Sequence, residues 1–133
     1  MIGFYMNIKD TVRKIMAKKE WKKELVVIKP DNCKIILVDG NYVRNNFDIE
    51  FALGGHHWRY KGINSDEIWV ENTGSNYTDL AENVVHEIVE RIYMKNLGVD
   101  YETAHSYASS IEHAIRLIND GKFDNTDKIS LPK

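Results

Sequence analysis

All five histidines of the 133-residue chain, His56, His57, His86, His105 and His113, fall between positions 56 and 113. One of them opens the run His86-Glu87-Ile88-Val89-Glu90, an H-E-x-x-E pattern. On a helix turning about 100° per residue, with His86 at zero, Glu90 lies near about 40° and Glu87 near about 100°. His86 and Glu90 are therefore one turn apart on one face, where an imidazole and a carboxylate can grip one cation. Glu87 points to the flank, turned away from ligation but placed to take a proton from water. Two imidazoles and a carboxylate leave one position of a tetrahedral zinc open for water, whose pKa zinc can lower to about 7. The second ligand slot holds Glu where the common zinc peptidases carry H-E-x-x-H, so Mn2+ or Fe2+ would also suit the oxygen-rich set.

A second polar row follows. With His105 at zero, Ser109 falls near about 40°, Glu112 near about −20° and Arg116 near about 20°, beside an apolar stripe of Ala104, Ala108, Ile111 and Ile115. Two helices packed antiparallel about Gly98 would bring together residues whose numbers add to about 198. Glu112 then faces His86, and His105 sits about a turn nearer the linker. The metal set is thus His86 and Glu90 with His105 or Glu112. The register favours Glu112, ligand chemistry favours His105, and the two are about 10 Å apart along the axis. His56, after Gly54-Gly55, is a ligand or substrate contact from the sheet side, or a loop histidine bonded to nearby backbone. His113 belongs to the surface, and Cys33, inside an apolar run, to the core.

These residues need elements to position them. Ala81, Val84, Val85, Ile88, Val89 and Ile92 recur at helical steps, so a helix runs from Thr78 to Leu97, with Asn76 or Thr78 as N-cap and Gly98 as its stop. Tyr101 to Ile118 repeats the pattern. Upstream, Leu25–Ile28 and Lys34–Val38 form a strand pair across Pro30-Asp31-Asn32, and Asp39-Gly40-Asn41 reads as a turn. Phe47, Ile49 and Phe51 alternate with acids as in a half-buried strand, which Gly54-Gly55 breaks. His57–Tyr60 and Glu67–Glu71 read as further strands. Residues 1–30 carry eight Lys/Arg against three acids, a net +5, leaving −7 for the remainder of a chain whose total is −2. The expectation is a single α+β domain over 1–133. It has a basic N-terminal helix over 1–24, a small mixed or antiparallel sheet over 25–71, an antiparallel helical hairpin over 77–119 and a loose tail over 120–133.

The combined pattern is familiar. Asp39-Gly40, Tyr42-Val43-Arg44-Asn45-Asn46, Gly54-Gly55-His56, Glu67-Ile68-Trp69-Val70, His86-Glu87, Glu90-Arg91 and Tyr101-Glu102-x-Ala104-His105-x-x-Ala108 with Glu112 resemble a family of small zincin-like metallopeptidases of phages and bacteria. The resemblance runs from about Val38 to Arg116. It implies a minimal zincin fold in which a sheet strand flanks the metal-bearing helix. It also implies His86 and Glu90 as ligands, Glu87 as the catalytic base, and His105 or Glu112 as the next ligand. Where relatives carry Ile-Pro before the Glu-Ile-Trp strand, this chain has Ile63-Asn64-Ser65.

The leading expectation is a zinc- or other divalent-metal-dependent peptidase, with Glu67–Glu71 pairing an extended substrate by strand addition. The alternative is a non-catalytic phage protein that binds a host protein on the same scaffold. The basic first segment could contact nucleic acid, but near-neutral total charge argues against a life on phosphate backbones. No apolar run reaches membrane-spanning length, the N-terminus lacks the order of a secretory signal, and one cysteine makes no disulfide framework. A cytoplasmic location is expected, the host's if the chain is phage-encoded.

Overall fold

The structure, a computed structural model, describes residues 20–74 and 76–121. Its elements run β1 (Lys22–Ile28), β2 (Cys33–Val38), α1 (Gly40–Asn46), β3 (Gly54–His56), β4 (Glu67–Glu71), α2 (Tyr77–Leu97) and α3 (Tyr101–Asn119). The four strands form one mixed sheet in the order β1-β2-β4-β3. β2 and β4 are parallel, and each has an antiparallel neighbour on its outer side. The chain is thus α+β, with two C-terminal helices packed together on the sheet. Among the described residues no helix is long and apolar enough to cross a membrane.

The central strands are nearly continuous apolar runs because both sheet faces are covered. Ile36, Val38 and Trp69 pack with Val43, Phe51 and Ile63 on one face. Their period-two neighbours Ile35, Ile68 and Val70 pack with Cys33 on the other, under Leu80, Val84 and Ile88 of α2. Cys33 is buried there, as expected of a core residue.

Several local expectations give way. Asp39 opens a helix: its carboxylate accepts the Tyr42 N–H at the N-cap of α1. The same residue types make turns and caps, so the run Asp39-Gly40-Asn41 does not distinguish them. Phe47–Phe51 is no strand. Phe47 ends α1, the Asp48 carboxylate accepts the Glu50 N–H in a side-chain turn, Ile49 is exposed and only Phe51 enters the core. Gly54-Gly55 does not break a strand but forms β3, and residues 57–59 turn away from it. A Cβ on Gly54 would stand 2.8 Å from Glu87 Cγ, and one on Gly55 would stand 2.5 Å from the Tyr60 ring. The absent side chains let β3 press against its neighbours. β4 lies between β2 and β3 with both edges paired, so it has no free edge for a substrate strand. Lys22–Glu24 belong to β1. Glu20 and Trp21 form a turn and a bend before β1 rather than the end of a helix. Residues 1–19 of the expected N-terminal helix and nearly all of the expected loose tail lie outside the described residues.

The hairpin follows its signals. Asn76 caps α2 by accepting the Asp79 N–H, Gly98 ends it at φ 66°, and Asp100 caps α3 by accepting the Thr103 N–H. Only a left-handed residue turns the chain this tightly, which suits glycine. His86 meets Glu112 and Glu82 meets Arg116, which is the expected antiparallel register.

Candidate metal centre

The buried residues of α2 are Glu82, His86, Glu87, Glu90 and Arg91, all of them polar. Its apolar residues are only partly buried, and Ala81 and Ile92 are exposed. The helix therefore presents its chemistry to the interior, toward β3 on one side and α3 on the other.

Three atoms converge there. His86 Nε2 is 3.2 Å from Glu90 Oε2 and 3.2 Å from His105 Nδ1, and His105 Nδ1 is 3.0 Å from Glu90 Oε2. A triangle of this kind is poor hydrogen bonding, because one N–H can aim at only one corner. It is good coordination geometry. Donors at about 2.0–2.1 Å from a tetrahedral zinc stand about 3.3–3.4 Å apart, close to the separations here. The triangle lies at the base of a cleft of about 400 Å³ that Glu87, Tyr101 and Arg59 also line.

Two of the three corners, His86 and Glu90, are held from behind. Glu112 Oε2 is 3.0 Å from His86 Nδ1 and accepts its proton, so Nε2 would be left to hold a metal once its own proton is released. Arg116 donates to Glu112 at 3.3 Å and to the fully buried Glu82 at 2.8 Å, which ties the two helices together. His56 Nε2 is 2.8 Å from Glu90 Oε1, leaving Oε2 for the triangle. Tyr101 Oη is 3.4 Å from His105 Nδ1.

The electrostatics are uneven. Burial pushes the Glu90 carboxyl up, but hydrogen bonds from His56, His86 and His105 outweigh it and hold the pKa down at about 2. Burial opposes charge on His86, yet the Glu90 hydrogen bond and three nearby carboxylates raise its pKa above the usual histidine value. Glu87 goes the other way. Burial, then the charge of Glu90, push it up to about 8, and its Oε2 is buried with no partner. A divalent cation in the triangle would supply the positive charge that this carboxylate lacks.

Of the expected site residues, His86, Glu90 and His105 share the triangle, with Glu87 beside it. Glu112 sits behind His86 on the opposite ring nitrogen. His56 is wholly buried behind Glu90 and is not among the residues that line the cleft. His57 bonds the Ile63 carbonyl, and His113 is exposed. A second set of potential donors, His56, Glu87 and Glu90, shares the Glu90 carboxylate. Sequence reasoning missed Glu82, Arg59 and Tyr101. Glu82 was within reach, since it lies one turn before His86 on the same face. Tyr101 was too, one turn before His105, whereas Arg59 comes from a turn that no spacing connects to either helix. Compared with protein-family models, curated proteins and solved structures, the chain matches none.

Proposed function

We propose that the chain is a metal-dependent hydrolase that cuts peptide bonds, with Zn2+, or another divalent ion such as Mn2+ or Fe2+, held by His86 Nε2, His105 Nδ1 and Glu90 Oε2. The observation that carries this reading is the convergence of those three atoms at the base of an open cleft, beside a buried carboxylate with an unpartnered oxygen. A bound metal supplies electrophilic activation of water and of a carbonyl. Glu87 Oε2 accepts the proton of the attacking water, and a pKa above the ordinary carboxylate range suits it to hand that proton to the leaving amine. Glu112 and His56 keep His86 and Glu90 oriented. The peptide reading draws on β3. It is the edge strand beside the cleft, and Ala52, Leu53 and Gly54 line that cleft, where an extended chain can lie alongside.

The test is elemental analysis of protein purified without chelator. About one divalent ion per chain is expected. His86→Ala should lose it, while Glu87→Gln should keep it and lose cleavage of a mixed peptide library. A metal-free wild-type chain would overturn the proposal. Bound metal with no cleavage in the wild type would favour a binding module on the same scaffold.

A further inference from the structure

The cleft is acidic, with Glu50, Glu87, Glu90 and Glu112 in its lining, and Arg59 is the one Lys or Arg among its lining residues. Arg59 differs from the other described arginines. Arg44, Arg91 and Arg116 each donate to a carboxylate, at 2.9, 3.0 and 2.8 Å. The carboxylate paired with Arg59 is Glu50, at 3.8 Å and on a side chain 72% exposed. So loose an exposed pair contributes little, and a ligand displaces it at small cost. Arg59 is nonetheless well fixed. Its guanidinium lies 4.4 Å from the Tyr101 ring centroid and 5.1 Å from that of Tyr60. Two ring contacts of this kind restrict the guanidinium before any ligand arrives. The Arg59–Tyr101 pair borders the metal centre, because the Tyr101 hydroxyl lies 3.4 Å from His105 Nδ1.

We propose that Arg59 is a subsite for a carboxylate of the substrate, in the same cleft as the triangle and with Tyr101 between them. A fixed, planar cation with its charge unspent, alone in an acidic cleft, fits a bidentate carboxylate better than any neutral group. Away from the triangle, where a bound cation would itself attract a carboxylate, the lining offers an anion no other Lys or Arg, so Arg59 sets the register of the contact. The cleaved bond lies within a residue or two of that carboxylate, a placement that rests on the hydrolase reading. The carboxylate has two sources, a peptide C-terminus or an Asp or Glu side chain.

Isothermal titration of zinc-loaded protein separates them. The three probes are N-acetyl-Ala-Ala as free acid, the same compound as its C-terminal amide, and N-acetyl-Ala-Asp with its C-terminus amidated. The free acid should bind about ten- to hundredfold more tightly than the amide if the C-terminus is the ligand. The Asp-bearing amide should show that gain if the side chain is. Arg59→Gln should remove either preference while metal content stays unchanged, and Arg59→Lys should restore part of it. Equal binding of all three probes, no binding of any, or a preference that survives Arg59→Gln overturns the subsite. The wild-type comparison stands even if the variant fails to fold. Metal analysis of the same samples keeps the two readings apart. A metal-free chain that still prefers a carboxylate loses the hydrolase and keeps the subsite, and a metal-bearing chain without preference does the reverse.

Discussion

A buried carboxyl with one oxygen that meets no donor can lower its energy by binding a proton or by sitting beside a cation. Glu87 is in that position, and in the metal-free protein the proton wins at neutral pH, since its pKa is pushed up to about 8. The unfolded chain ionises Glu87 near its ordinary value of 4.5. Stability from the neutral, buried form is therefore complete below about pH 4.5 and is lost as pH rises through about 8. Glu87→Gln should raise the Tm of metal-free protein, by a gain of a few kcal/mol that grows between pH 5 and pH 8. Thermal melts at the two pH values check this, and an equal gain at both contradicts it. His86 offers a second comparison. Glu112 grips its far nitrogen, so Glu112→Gln should weaken metal affinity about 10–100-fold. His105→Ala removes a donor outright and should weaken it further. Chelator competition ranks the two, and the reverse order would make Glu112 the ligand.

At the scale of elements, the site depends on how closely β3 approaches α2. Gly54→Ala places a Cβ 2.8 Å from Glu87 Cγ, so Glu87 must shift while the triangle on the adjoining face stays in place. Metal content should remain near the wild-type value, cleavage should fall at least about tenfold, and stability should drop by about 1–3 kcal/mol. Loss of metal in this variant would show that β3 supports the triangle itself. The same contact explains why β3 was hard to read. Glycine signals a break when only the chain is considered, and signals close approach once a neighbour is present. The hairpin was easier. Caps at Asn76 and Asp100 and the stop at Gly98 act within a few residues, so the sequence carries them in full.

At the scale of the whole molecule, a metal held by two helices, with a third element behind Glu90, would stabilise everything that must stay assembled to hold it. An ion at a thousandfold its Kd should add about 4 kcal/mol to the folded state, visible as a rise in Tm that chelator reverses. His86→Ala should show no such rise. A Tm that ignores both metal and chelator would count against the centre. The five clustered histidines divide accordingly. His86 and His105 meet at the triangle and His56 stands behind it, while His57 serves a turn and His113 faces solvent.

The sequence by itself determined the α+β class, the central strands and the helical hairpin with its register. Each follows from periodicity and capping, which are local. It also placed His86, Glu87 and Glu90 on one helix, because their spacing is a property of the helix alone. It could not choose between His105 and Glu112. Both reach His86, and only the tilt of the rings puts one at Nε2 and the other at Nδ1. Nor could it send His56 behind Glu90 or bring Arg59 against Tyr101. Those contacts join residues 34 and 42 positions apart, and they exist only once the sheet, with β3 on its edge, closes under the hairpin. The tertiary structure also turned the polar face of α2 inward. Amphipathic patterning alone would bury only the apolar stripe, but here Leu80, Val84 and Ile88 cover the sheet while polar residues fill the space between the helices and β3.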